Sequence, residues 1–125
     1  MKRLLVLAAA AATLCSAFSA SAQTFPGSKP ISFVVPFAAG GPTDRVARDL
    51  AEAMRKSMGG GANFVVENVN GAGGTIGANK VAKASPDGHT LLLHHIGMAS
   101  APSLYRKLQY KPLEDFEYLG MINEV

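Results

Sequence analysis

Cysteine is almost missing: the 125 residues hold one, Cys15, inside a segment that reads as a removable leader. A mature chain without it has no thiol, which excludes a disulfide framework and leaves a packed core to stabilise the fold. Charge is sparse, at 17% of residues. Loss of Lys2 and Arg3 with the leader leaves ten basic residues against nine acidic ones, close to neutrality. No basic stripe interleaved with aromatic residues occurs, which argues against nucleic acid as a partner. After Ala22 no apolar run is long enough to cross a bilayer, so direct membrane insertion of the mature chain is not expected.

What is present begins with a targeting signal. Lys2 and Arg3 form a positive start, Leu4 to Ala12 an unbroken apolar run, and Ala20-Ser21-Ala22 a small-residue cleavage pattern. The run is too short to span a membrane. Leu14 before Cys15 is too bulky for a lipoprotein cleavage box. Residues 1–22 are therefore expected to be a signal peptide and the mature protein to be periplasmic, starting at Gln23.

The rest is globular in composition, with 48% hydrophobic residues. Ile31 to Pro36 is a short β-branched run, the mark of a buried strand. A glycine-rich loop follows, and from Thr43 the residues Val46, Leu50, Met54 and Met58 recur at helical spacing. Thr43 can cap this helix, Asp44 suits its first turn, and Gly59-Gly60-Gly61 ends it. The order then repeats. Asn63 to Glu67 is a second strand, Asn68 to Gly74 a second loop, and Thr75 to about Ala84 a second helix with a face of small residues. Ser85 to Gly88 is a turn. Thr90 to His94 is a third strand, Ser100 to Arg106 a short helix, Tyr110 to Pro112 extended chain, and Phe116 to Ile122 a fourth strand. Alternating strands and helices imply a parallel α/β sheet with right-handed crossovers. Two full helices cannot cover both faces of four apolar strands, so residues 23–125 read as an incomplete lobe.

Ligands of open parallel sheets sit outside the carboxyl ends of the strands. Both glycine loops lie there, each leading into a helix N-terminus, where free amides and the helix dipole favour an anion. Phe37, Ala38, Ala39, Gly40, Gly41 and Pro42 from the first, with Gly71, Ala72, Gly73 and Gly74 from the second, make a candidate carboxylate cradle. Tight strand-to-helix turns alone would also explain the glycines. A dinucleotide fingerprint fails, because the third glycine would fall at Ile76 and histidines stand where a ribose-binding acid should be. No Gly-Lys-Ser/Thr supports a phosphate loop. His89, His94 and His95 lack a completing Cys or acid cluster, and His94 and His95 on one strand would point to opposite faces, so no metal is expected. Ser85 and Ser100 lack a nucleophile-elbow context, so neither catalysis nor a cofactor is expected. Asp44 reads as a helix-capping acid, since an acid beside a bound carboxylate would repel it.

Several segments together resemble the tripartite tricarboxylate transporter substrate-binding proteins, the Bug family of extracytoplasmic solute receptors. They are Val35 to Asp44, Val65 to Asn68, Gly71 to Gly77, Ala84 to Leu92, Leu104 to Leu108 and Asp115-Phe116. The resemblance implies a two-lobed receptor of the type II periplasmic binding fold, closing on a small carboxylate held by backbone groups of the first lobe. It places contacts at Phe37 to Thr43, at Gly71 to Thr75, and near Ile96 to Met98, with Ile96 and Gly97 the third-loop candidates. It also implies membrane transporter subunits, or a sensor, as partners. Family chains are about three times longer, so a truncated receptor is expected. A remnant without function and a small nucleotide-binding Rossmann-like domain are the alternatives.

The leader reading is checked by mass spectrometry of the protein recovered from the periplasm of its host. The expected N-terminus is Gln23; one at Met1, or an acyl group on Cys15, would contradict it.

Overall fold

The computed structural model describes residues 25–59 and 61–122. The proposed leader, with Cys15 and the cleavage site, lies outside them. Three strands form one parallel sheet: β1 (Ile31–Val35), β2 (Phe64–Asn68) and β3 (Thr90–Leu92), in the order β2-β1-β3. Ile31 pairs with Phe64 and Val35 with Asn68, while Ser32 to Val34 align with Thr90 to Leu92. One further rung, from Leu93 N–H to Val34 O at 3.0 Å, carries the pairing just past β3.

β1 is central, and its composition explains why. Ile31, Phe33, Val34 and Val35 are all buried, so side chains on both faces of the strand leave water. Helix α1 (Pro42–Ser57) packs on β1 and β2, and α2 (Thr75–Ala82) on β1 and β3. The chain steps from β1 to β2 and then back across β1 to β3. Right-handed connections in these opposite directions put the two helices on opposite faces.

The helices approach the sheet through small residues. The most deeply buried positions of α1 are Asp44, Ala47 and Ala51, whereas Val46, Leu50 and Met54 are half-buried and Met58 is exposed. The apolar stripe expected from spacing is thus displaced by one residue, because alanine lets the helix axis come closer to the strands than a row of long side chains would. On the other face Gly77 is the contact point. A Cβ there would stand 2.7 Å from both Pro36 Cβ and Val69 O. Ala78, Met98 and Tyr110 form a small core with Leu92, Leu108 and Phe116 around it. Phe116 meets Tyr110 edge-on at 5.6 Å. The third helix, α3 (Gly97–Leu104), supplies Met98 and Ala101 to this side and starts three residues earlier than its sequence pattern suggests.

The fourth strand expected over Phe116 to Ile122 does not form. Nothing in this stretch pairs with the outer edge of β2 or β3, and apolar residues make a strand only where a partner ladder satisfies their amides. The chain instead turns at Pro112 to Glu114, where Lys111 O accepts from Glu114 N–H at 3.1 Å and Asp115 N–H at 2.9 Å. Beyond Phe116, Tyr118, Leu119, Met121 and Ile122 are exposed.

The close approach at Gly77 predicts an asymmetry between glycines. Gly77→Ala gains helix propensity but drives a methyl into backbone, with a net loss of about 1–2 kcal/mol. Gly61→Ala, where a Cβ would meet nothing within 4 Å, should be close to neutral. Thermal melts of the two variants check this; equal melting temperatures would contradict the packing.

Candidate functional site

Parallel topology delivers the three loops that follow β1, β2 and β3 to one edge of the sheet, and each runs into the start of a helix. The first is shaped by Asp44. Its carboxylate, 2% exposed, accepts the Gly40 N–H at 2.8 Å, the Asn68 Nδ2–H at 2.9 Å, and two bonds from the Arg48 guanidinium at 3.0 Å. Asn68 Nδ2 also donates to Phe37 O at 3.1 Å. One buried acid therefore binds the loop backbone, its own helix and the end of β2 together. Arg48 comes first in holding the Asp44 carboxyl far below the usual carboxylate range, followed by Gly40 and Asn68; desolvation opposes them.

This corrects the capping assignment. The helix begins at Gly41 with Pro42 in its first turn, and neither Thr43 nor any other side chain bonds the cap position. Asp44 does stand in the first turn, where the helix dipole suits it. Its larger role is to hold the loop.

The second loop winds tightly. Gly71, Ala72, Gly73 and Gly74 all have positive φ, at 131°, 45°, 62° and 95°. Ala72 is the one non-glycine so placed among the described residues, a conformation that costs on the order of 1–3 kcal/mol and that clusters at ligand loops. Thr75 Oγ donates to Ala72 O at 2.9 Å and steadies the turn. Among the described residues the N–H groups of Ala38, Ala39 and Gly73 have no acceptor. Successive amides in such turns form an anion-binding concavity.

The third loop brings what the sequence reading set aside. His94 and His95 lie past the end of β3, so the strand alternation that would separate them does not apply. Their ring centroids are 5.2 Å apart. Phe37 meets His94 edge-on at 5.2 Å and stacks on His95 at 4.2 Å. Phe37 and His94 also crowd Gly74, where a Cβ would sit 3.2 Å from the Phe37 ring tip and 2.8 Å from His94 Nε2. Burial lowers the His94 pKa, which keeps that ring neutral at pH 7. No group of three or more His, Cys, Asp or Glu suited to a metal occurs among the described residues.

The thirteen candidate positions do not all serve alike. Phe37, Gly74 and Gly97 are brought into contact through the two histidines. Ala38, Ala39, Gly40 and Gly73 form the exposed rim beside them, and Ile96, 85% exposed, stands clear. Gly41 and Thr43 belong to the entry of α1, and Gly71, Ala72 and Thr75 to the turn. Sequence reasoning missed Asn68 and the two histidines. Their signal was position alone, at or just past a strand's carboxyl end.

A sequence profile of the tripartite tricarboxylate transporter family receptors matches residues 46–125. A protein of Agrobacterium vitis, from the TAR-I ttuE-ttuC' intergenic region, is 53% identical over 106 residues, covering 85% of this chain and 30% of that one. The solved structure of the periplasmic binding protein BugD superposes with a TM-score of 0.66 at 58% identity, over 70% of this chain and 29% of that one. MatC from Rhodopseudomonas palustris, solved with bound malate, gives 0.64 at 48% identity over the same 70% and 29%. The chain thus spans about 30% of the length of these relatives. Its parallel α/β architecture is shared with periplasmic binding proteins.

The Asp44 network generates a pH prediction. Its folded pKa is depressed, so its stabilisation is complete above the unfolded value of about 3.9 and is lost as the pH falls below that. Asp44→Asn sets an amide against the donors of Gly40, Asn68 and Arg48. It should lower the melting temperature at pH 7 and flatten its fall as the pH drops below about 4. Parallel acid limbs for the two proteins would contradict this role.

Proposed function

This chain belongs to the tripartite tricarboxylate transporter family of receptors, and on that premise we propose that residues 23–125 are the part of an exported solute receptor that grips a small carboxylate. The observation that carries the reading is the convergence of two glycine loops whose Ala38, Ala39 and Gly73 amides have no acceptor among the described residues. Backbone N–H groups at helix starts hold an anion without a fixed positive side chain. The occupants proposed for Phe37 to Thr43 and Gly71 to Thr75 are the carboxylate oxygens, with Ile96 and Gly97 at the third edge. Malate bound to MatC, a relative 48% identical to this chain, supports a C4 dicarboxylate as the first ligand to try.

The setting belongs to the same proposal. Residues 1–22 serve as the export signal, the periplasm is the compartment, and membrane transporter subunits or a sensor receive the loaded protein. Family membership supports a binding role, with no chemical step required of any residue. A cleft receptor buries about 70–90% of a small ligand. The single edge described here leaves much of a ligand in water, so residues 23–125 alone should bind weakly.

The test is an NMR titration of the leader-free chain with malate and with its diamide. Millimolar malate should shift the amides of Ala38, Ala39 and Gly73, and the diamide should leave them in place. Ala39→Glu, at an exposed position, should weaken malate by roughly tenfold or more through like-charge repulsion, with Ala39→Gln as the neutral control. Shifts confined to residues away from the three loops would refute the site. A low-micromolar dissociation constant would refute the weak grip.

A further inference from the structure

The free amides of the first two loops are main-chain donors, but the third loop presents a ring whose hydrogen is fixed in place. His95 Nδ1 accepts the Gly97 N–H at 2.9 Å. A neutral imidazole that accepts at one nitrogen carries its hydrogen on the other, so His95 Nε2 is a donor. That ring is exposed, yet it is not free to turn. It stacks on Phe37 at 4.2 Å with an interplanar angle of 14°. Its backbone is held too. His94 Nδ1 lies 2.9 Å from both the amide N and the carbonyl O of His95, and with its hydrogen on Nε2 it accepts from the former. His95 O in turn accepts Met98 N–H at 3.0 Å, at the start of α3. Gly97 has no room for a side chain, since a Cβ would come 2.9 Å from His95 Cε1 and 3.3 Å from His94 Cε1.

We infer that His95 is a side-chain ligand contact, donating its Nε2–H to the carboxylate gripped by the loop amides, with Phe37, His94 and Gly97 as its positioning residues. The inference rests on the carboxylate reading above and deepens it. A surface histidine with no function has no need of an aromatic platform, a fixed tautomer and a clamped backbone. Pre-orientation of this kind removes the rotamer cost a mobile side chain meets on binding. The arrangement also joins the loops: Phe37 comes from the first, the Gly74 surface under Phe37 and His94 from the second, and both histidines from the third. Asp44 and Arg48, beneath the first loop, are bonded to each other.

The experiment uses the leader-free chain with 15N-labelled histidine. Malate should move the His95 Nε2 resonance while Nδ1, bonded to Gly97, stays nearly fixed. His95→Phe keeps a ring on Phe37 but removes the donor, and should weaken malate by roughly three- to tenfold. His95→Gln, which retains an N–H donor, should recover part of that loss. If the Ala39 and Gly73 amides respond to malate while His95 Nε2 does not, the inference fails and the carboxylate reading stands. If none of them responds, the carboxylate reading fails first. A loss of affinity in His95→Phe without the wild-type Nε2 shift would reduce His95 to a structural role and overturn the proposal. The labelled wild-type measurement decides the matter even if the variants do not fold.

Discussion

A carboxylate taken out of water has to be matched, and in this chain the matching of Asp44 organises everything around it. Burying an unpaired charge is prohibitively costly. Asp44 is matched by a loop amide, a guanidinium one helical turn away and an amide side chain from the neighbouring strand. These partners arrive only if α1 starts where it does, the first loop folds back, and β2 runs to Asn68 in register with Val35. The loop geometry, the helix entry and the sheet register are thus conditions on one another. Because Arg48 is half-exposed, the ion pair matters less for its own energy than for fixing where the loop amides point.

The second organising contact is steric. Gly77 lets α2 rest on Pro36 and on the carbonyl of Val69, directly beneath both loops. Lys80 pairs with Glu67 on the outer side of the same helix and strand. Helix and loops are held from below by contact and from the side by charge, which leaves the rim facing outward.

Much of this architecture can be read from the residues, and the gaps have physical causes. The β-branched run at Ile31 to Val35 and the glycines at both loops announce themselves, because burial and positive φ demand particular side chains. Asp44 misleads, because Arg48 at i+4 is visible in the sequence whereas Asn68, 24 residues away, becomes a partner only through the sheet. His94 and His95 mislead in the opposite way. Alternation along a strand is a sound rule, but β3 ends at Leu92 and the rule stops with it. Phe116 to Ile122 has strand composition but joins neither open edge of the sheet, and composition does not say which ladder a segment meets. The parallel α/β fold was legible; where each element ended was not, and the third loop's place in the site depends on that.

The second loop carries a consequence for how such a protein can change over generations. At Gly73 and Gly74 the backbone is left-handed and the space above is filled by Tyr105, Phe37 and His94, so nearly every substitution there is closed off. Ala38 and Ala39 are exposed, and their offered groups are peptide N–H, which any residue but proline supplies. Mutational drift at this edge is therefore channelled. The glycine scaffold is nearly immovable, while the decoration beside it can vary without dismantling what it decorates, which lets new side chains be sampled on an unaltered frame.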